Sequence, residues 1–158
     1  MNLRELPAHQ LQILLKVLVA FILGALIGLE REAAEKPAGL RTHMLVTGAS
    51  ALLVSLGSVA IDSYISQFGT TVIRSDPIRI IGAVVTGVSF LGAGTIIRLR
   101  SDGDIEGLTT AASLLLASAV GIGVALSQWF LVIGVTFLVL VILRGIPLIR
   151  RLLLRRWR

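Results

Sequence analysis

The sequence predicts an all-α polytopic membrane protein with five transmembrane helices. Of its 158 residues 55% are hydrophobic, and the mean hydropathy is +0.91, which is too apolar for a soluble domain of this size. The apolar residues come in five blocks, each close to the twenty residues that cross a bilayer core. Charged residues lie between these blocks or near their ends, and Lys16 of the first block is expected to extend to the membrane surface. Lipid is therefore the expected surrounding of most of the chain.

The five blocks are separated by connections that carry helix-start and turn residues. Asp76 and Pro77 precede the third block, and a proline at the first helical position lacks only an N–H group that would be unpaired anyway. Only Ser127 and Gln128 separate the fourth block from the fifth, which predicts a tight helical hairpin. The spans are predicted at residues 11–29, 44–61, 78–97, 108–126 and 129–149. They form one transmembrane domain, 1–149, followed by a basic tail, 150–158.

The cations are distributed unevenly between the two sides of the predicted bundle. Five spans place the termini on opposite sides, and eleven of the fifteen cations lie in or beside the first loop, the third loop and the tail. Because short basic segments resist export, these segments are expected in the cytoplasm and the N-terminus outside. Six arginines lie within 144–158, so the net charge of +6 indicates contact with anionic lipid headgroups rather than with nucleic acid.

The chain also carries signs of an internal duplication. An ungapped alignment of 13–58 with 81–126 matches spans one and two with spans three and four, and it gives eleven identities. Both halves would enter the membrane in the same direction, which predicts a parallel repeat about an axis along the membrane normal. Biased composition alone is the alternative explanation. Four glycines are expected where helices pack closely, namely Gly24, Gly28, Gly92 and Gly94.

Polar residues collect where spans one, two and four meet the cytoplasmic membrane surface. Opposite charges at facing helix ends favour ion pairing, and the expected pair is Glu30 or Glu32 with Arg41. Thr42 and Thr109 are expected as helix N-caps. The alternative to this structural role is a regulatory or ligand-binding surface in which a histidine titrates near neutral pH. The whole cytoplasmic cluster is Glu30, Arg31, Glu32, Arg41, Thr42, His43, Thr109 and Thr110.

A second polar pair is expected on the outer side of the membrane. Asp76 and Arg79 are three positions apart and therefore share one helix face. An N-cap followed by an arginine that reaches to the membrane surface is the structural interpretation of this pair, and a functional site is the alternative.

Several classes of function are disfavoured by what the sequence lacks. None of the nine carboxylates falls in the middle of a span, which argues against a carboxylate-coupled pump with a site at the membrane midplane and against a dehydrated Mg²⁺ cage of acidic oxygens. Cysteine is absent, so disulfides and thiolate metal sites are excluded. No catalytic motif occurs, and His9 and His43 lie far apart. Neither an enzyme nor a metal site nor a cofactor is expected.

Five ordered motifs resemble the MgtC/SapB family of bacterial inner-membrane proteins. The motifs are GALIGLERE (24–32), KPAGLRTH (36–43), SDPIRII (75–81), FLGAGTII (90–97) and GLTTAAS (107–113). The ten polar residues of the two clusters above occupy the polar positions of these motifs. The resemblance implies a multi-pass protein of the bacterial inner membrane that is linked to growth under magnesium limitation. It also implies a possible partner, because the namesake is thought to bind and restrain the membrane part of ATP synthase rather than to carry Mg²⁺.

The expected function is ion homeostasis or stress adaptation through protein–protein contact in the bilayer. At least a dimer is expected, because five spans are too few to pack against all the helix faces that carry glycines. The alternative is a small oligomeric transporter or channel for a cation or a solute. Namesake-type members continue into a soluble domain, whereas this chain ends in RRLLLRRWR (150–158), so a short form or a trimmed chain is expected. In the transport alternative the path would be lined by hydroxyl side chains, namely Thr47, Ser50, Thr86, Ser89 and Ser113.

Overall fold

The computed structural model describes residues 6–68, 77–98 and 105–155, and most of these residues lie in five helices. The helices are α1 Leu6–Ala33, α2 Leu40–Phe68, α3 Pro77–Gly94, α4 Leu108–Ala125 and α5 Trp129–Arg155. Between α3 and α4, the two-residue strands β1 (Ile97–Arg98) and β2 (Ile105–Glu106) pair antiparallel. The predicted all-α membrane fold is confirmed, and the small hairpin is a feature that the sequence did not predict.

The helices have the length and the surface of membrane spans. Three described stretches are long and apolar enough to cross a membrane, namely Ala8–Ala33, Leu40–Phe68 and Leu108–Ala125. Ile78–Gly94 and Trp129–Gly145 are apolar but shorter, and their length of about 17 residues is the lower limit for a crossing helix. Large apolar side chains point outward, and Phe130 is 95% exposed. A surface of this kind requires lipid or another protein around it.

The helix ends differ from the predicted spans in a consistent way. α1 begins before residue 11 and continues beyond residue 29 to Ala33, and α2 extends from Leu40 to Phe68 instead of ending at 61. In the last turns of α2 the rings of Tyr64 and Phe68 stack with their centroids 6.2 Å apart. Polar residues such as those at 62–67 end an apolar block but do not end a helix. Hydropathy therefore locates the membrane-embedded part of each helix rather than its boundaries.

The ends of α3 and α5 also differ from the predicted ends of spans three and five. α3 ends at Gly94, before the predicted end of span three at 97, and the chain then enters β1. α5 continues through the predicted boundary at 149 as far as Arg155, so most of the basic tail belongs to the helix that precedes it.

The packing of the helices places α2 and α4 at the centre of the bundle. These two helices lie against each other, α1 packs on both of them, and α3 does so on the other side. α5 packs on α1 and α4. The bundle is thus a rhombus in which α2 and α4 share the short diagonal, and α5 covers the edge between α1 and α4.

Contacts between helices recur at equivalent positions of the two halves. A Cβ atom added at Gly24 would lie 2.7 Å from the carbonyl oxygen of His43, so α1 and α2 cross closely at this point. At the equivalent Gly92, an added Cβ would lie 3.4 Å from the side chain of Ala111, where α3 meets α4. His43 and Ala111 are themselves equivalent in the repeat alignment. These paired contacts agree with a parallel repeat that relates α1 to α3 and α2 to α4.

The two halves also begin their second helix in the same way. The carbonyl of Gly39 accepts the backbone N–H of His43 at 3.2 Å, and that of Gly107 accepts the N–H of Ala111 at 2.8 Å. Gly107 has a φ of 92°, in the left-handed region, and a side chain there would collide with the carbonyl of Thr95. Glycine is therefore required where the hairpin turns into α4.

Close helix approach occurs at three of the four glycines that the sequence singled out. An added Cβ would lie 2.6 Å from the Thr47 hydroxyl oxygen at Gly24 and 2.7 Å from the Cα atom of Leu40 at Gly28, so both positions need glycine. Gly92 makes contact at an ordinary van der Waals distance. Gly94 faces open space, and the expectation that it packs against another helix was wrong. It lies two positions after Gly92, and residues two apart on a helix do not share a face.

Candidate functional site

Buried hydroxyl and imidazole groups line the contact between α2 and α4. We call this set the polar seam, and each of its side chains is at most 2% exposed. Its members are His43, Thr47, Ser50, Thr110, Ser113 and Ser118. Polar groups in a membrane interior must find partners within the protein, because lipid offers none. Two of its hydrogen bonds, from His43 to Ser113 and from Ser50 to Ser118, join the two central helices.

His43 joins the first turn of α2 to α4. Its Nδ1 atom lies 2.9 Å from the carbonyl oxygen of Gly39, and its Nε2 atom lies 3.0 Å from the hydroxyl oxygen of Ser113. A carbonyl oxygen can only accept, so Nδ1 carries a hydrogen and donates it to Gly39. The imidazole ring is 0% exposed, and it is the largest polar side chain of the seam.

The hydroxyl of Ser113 has two possible acceptors, and the protonation state of His43 decides between them. Ser113 lies 2.8 Å from the carbonyl oxygen of Thr110, to which it can donate its one hydrogen. In that arrangement Nε2 of His43 must donate to Ser113, and the ring is doubly protonated. With a neutral ring, Ser113 instead donates to Nε2. Burial of the ring disfavours its charged form, so the neutral ring with Ser113 as the donor is the arrangement that this geometry supports.

Ser50 and Ser118 form the middle of the polar seam. Their hydroxyl oxygens are 2.9 Å apart, and the two residues are equivalent in the alignment that relates the halves of the chain. Ser50 donates to the carbonyl oxygen of Val46 at 2.8 Å, so Ser118 supplies the hydrogen between the two serines. This hydrogen bond lies between α2 and α4 at the centre of the bundle, where the two-fold axis that relates the halves of the chain would pass.

The charged residues at the end of α1 form a compact unit beside His43. The Nε group of Arg31 donates to a carboxylate oxygen of Glu30 at 2.5 Å, and these side chains are 5% and 10% exposed. Glu32 accepts the backbone N–H of Leu40 at 2.8 Å and thereby caps the start of α2. Burial of Arg31 is tolerable only because Glu30 neutralises it.

The outer members of the cytoplasmic cluster do not join this unit. The expected ion pair with Arg41 was wrong, because Arg41 is exposed and Glu30 is paired with Arg31 instead. Thr42 and Thr109 are exposed as well. The expectation that they act as N-caps was also wrong, since α2 begins at Leu40 and α4 after Gly107, so both threonines lie inside the first turn of their helix. The structure thus separates a buried part of the cluster (Glu30, Arg31, His43 and Thr110) from an exposed part.

Among the residues that the structure describes, the opposite end of the bundle contains fewer polar contacts. Asp76 lies outside the described residues, and Arg79 is exposed in the first turn of α3. Lys16 was expected to extend to the membrane surface, and its ammonium group donates to the carbonyl oxygen of Ala125 at 2.8 Å. Ala125 is the last residue of α4, where unpaired carbonyl groups favour a cation. Lys16 therefore ties α1 to the end of α4.

Two cavities open at the sides of the bundle. The first is a groove of about 570 Å³ between α2 and α3, which we call the α2–α3 groove. The second, of about 440 Å³, lies between the ends of α1 and α5, and Glu30 and Arg144 contribute to its walls. Neither cavity is lined by His43 or Ser113.

The arrangement of the seam suits the joining of helices better than chemistry on a substrate. The 3.0 Å distance from His43 to Ser113 is typical of a nucleophile and its base, but both side chains are buried and neither cavity reaches them. Within the described residues, no group of three or more His, Asp or Glu side chains lies together in a way that could hold a metal ion.

Sequence reasoning missed part of the seam. Ser113 and Thr47 were named only as path residues of the transport alternative, and Ser118 was only one of the eleven identities of the repeat alignment. Thr86 and Ser89, named with them, are exposed on α3 and donate to carbonyls of their own helix. The available signal was the identity of Ser50 and Ser118 in the repeat alignment, because a residue pair on a two-fold axis meets its own counterpart.

Comparisons with known proteins agree on one family. The family model described as MgtC family matches residues 17–152. An uncharacterized protein of Haemophilus influenzae is 37% identical over 145 residues, which cover 92% of this chain and 59% of that protein. Protein MgtC of Salmonella typhimurium is 37% identical over 128 residues, which cover 80% of this chain and 49% of the relative.

A third relative matches over most of both chains. Protein SrpB of Synechococcus elongatus is 35% identical over 159 aligned positions, which cover 96% of this chain and 85% of the relative. The chain therefore spans about half to three fifths of the first two relatives and most of the third. No solved structure matches the chain.

Proposed function

This chain belongs to the MgtC family, and from that premise we propose that it acts in magnesium or other ion homeostasis, or in stress adaptation, by protein–protein contact within the membrane. It is a multi-pass bacterial membrane protein. The membrane part of ATP synthase is the first partner to test, because the motif resemblance implies it. The positive-inside asymmetry supports an orientation with the first loop in the cytoplasm and the N-terminus outside.

One observation carries this proposal: the polar groups that face each other between α2 and α4 bond to the chain's own atoms. His43 is bonded to Gly39 and Ser113, and Ser50 is bonded to Ser118 at the centre of the bundle. An ion path would need polar groups that face water or an ion rather than each other. Apart from Ser50, the lining of the α2–α3 groove is apolar, which suits contact with another apolar surface.

The proposal includes self-association. Exposed apolar side chains cover the outside of α3 and α5, and several glycines there have open space above them. Such faces allow close approach of a second helix in the bilayer. We therefore expect at least a dimer in mild detergent, and sedimentation that shows a monomer at every protein concentration would contradict this part.

A paired experiment tests contact against transport. The purified chain is reconstituted in vesicles and assayed for Mg²⁺, K⁺ and proton flux, and the same chain is cross-linked and purified from its native membrane. We expect flux equal to that of protein-free vesicles and a specific membrane protein in the cross-linked sample.

A matched pair of variants decides the transport alternative. Ser118 belongs to the seam, whereas Thr86 is an exposed hydroxyl on α3. Ion-selective flux that S118A reduces and T86A leaves unchanged would contradict the proposal and favour a channel or transporter. Flux that neither variant changes would indicate leakage at the protein–lipid boundary and would leave the result of the cross-linking arm decisive.

A further inference from the structure

The α2–α3 groove is an apolar opening along the edge of the bundle that lies opposite α5. Its volume is about 570 Å³, and its lining includes several small side chains. Gly87 has nothing within 4 Å of the position of a Cβ atom, so the groove is open above it. Leu53 and Leu91 at its rims are about half exposed. The small lining residues are Ala49, Ala83 and Gly87.

The internal repeat shows what the groove corresponds to in the other half of the chain. The seat of α5 is formed by α1 and α4, and buried residues there include Ala20, Leu23, Leu114 and Ala117. In the repeat alignment these four are equivalent to four residues that line the groove, namely Val88, Leu91, Val46 and Ala49. The groove is thus the counterpart of the α5 seat, but within the described chain no fifth helix covers it.

The floor of the groove is also continuous with the interface that α5 already makes. Val46 and Val88 line the groove, and they belong to the same buried cluster as Val139 and Leu143 of α5. A helix in the groove would therefore extend an existing apolar core rather than start a new one.

We propose that the α2–α3 groove binds one apolar transmembrane helix of a partner membrane protein, in the place that α5 occupies on the other half. This inference rests on the proposed function and names the contact surface for it. The buried face of α5 gives the pattern that fits such a seat: Val132, Thr136, Val139 and Leu143, at successive spacings of four, three and four. The partner helix carries medium-sized apolar side chains at this spacing.

Two other occupants fit the groove less well. A second copy of the chain would offer its own α5, but α5 and the groove lie on opposite edges of the rhombus. Contacts between opposite edges build an open row of molecules rather than a closed dimer. A lipid chain would fill the groove without using the small residues, which matter only when another backbone approaches closely.

A synthetic helix with the sequence of residues 129–149, flanked by added lysines, serves as the probe. The natural chain has no cysteine, so T86C on the exposed side of α3 gives a single site for a donor dye. The acceptor-labelled probe is titrated into vesicles that contain the full chain, and energy transfer is measured. A scrambled helix of the same composition controls for crowding.

Two glycines on α3 provide the matched variants. Gly82 and Gly87 both have open space at the Cβ position, but only Gly87 lines the groove. We expect saturable transfer that G87L weakens roughly tenfold or more, because it fills the seat, while G82L changes it less than twofold. No saturable transfer, equal transfer from the scrambled helix, or equal effects of the two variants would overturn the inference.

The experiments can show that the groove inference is wrong while the proposed function holds, and the reverse. If the probe does not bind, and a membrane partner still co-purifies with the G87L chain, the groove inference fails and contact in the membrane stands. If the probe binds as expected but the vesicles carry selective flux through the seam, the groove inference stands and the proposed function fails.

Discussion

Replacement of His43 by alanine tests whether the polar seam holds the two central helices together. The ring is fully buried, and buried large-to-small changes cost about 2–5 kcal/mol in unfolding free energy. Its hydrogen bond to Ser113 adds about 0.6 kcal/mol, the average measured between membrane helices, and its local bond to Gly39 adds about 0.5 kcal/mol or more. Gly39 and Ser113 keep other hydrogen-bond partners, so no large penalty for unpaired groups is added. We expect a loss of about 3 kcal/mol, near the lower part of that range.

The assay is equilibrium unfolding in mixed micelles, with increasing SDS and with helix content followed by circular dichroism. T42A is the control, since Thr42 is exposed in the same turn, and its effect should stay within about 0.5 kcal/mol. A double-mutant cycle of H43A with S113A isolates the interhelical bond, and the expected coupling is about 0.6 kcal/mol. An H43A chain as stable as T42A, or a cycle without coupling, would refute the role of this bond.

Three further predictions use the same unfolding assay. G24A should lower the free energy of unfolding by about 1–3 kcal/mol, because the added methyl meets the backbone and a side chain of α2. G94A is the control and should be neutral, and equal effects of the two variants would contradict the described crossing of α1 and α2. G107A should cost about 1–2 kcal/mol or more for a positive φ and a collision with Thr95, and a neutral result would mean that the hairpin turns differently. E30Q should cost about 3 kcal/mol by leaving Arg31 buried and unpaired, and E30Q/R31M should recover part of it; failure of that recovery would contradict the buried pair.

The sequence contained enough information for the number and order of the helices. Five apolar blocks and the residues between them predicted five spans, because a bilayer imposes a length on each crossing. The helix ends were less predictable, since α2 continues through Asp62 and Ser63 to Phe68 without an apolar signal. The β-hairpin between α3 and α4 is too short for any periodic pattern to reveal.

The site was predictable only where local sequence determines the contact. Gly24 and Gly28 were recognised because glycines four apart share a helix face, whereas Gly94, two positions from Gly92, lies on a different face of α3. The pairing of Arg31 with its neighbour Glu30, instead of Arg41 with either glutamate, depends on which side chains the fold buries. The bond from His43 to Ser113 joins residues 70 positions apart, and only the packed bundle brings them together.

A disulfide across the centre of the seam tests the account most directly. The hydroxyl oxygens of Ser50 and Ser118 are 2.9 Å apart in a chain without natural cysteines, so the S50C/S118C variant should cross-link cleanly on oxidation. If function depends on contact at the outside of a closed bundle, the oxidised protein should retain its membrane partner and support growth at low magnesium as well as the reduced one. A locked protein that loses both activities, and regains them on reduction, would show that α2 and α4 must separate, which contradicts the proposal.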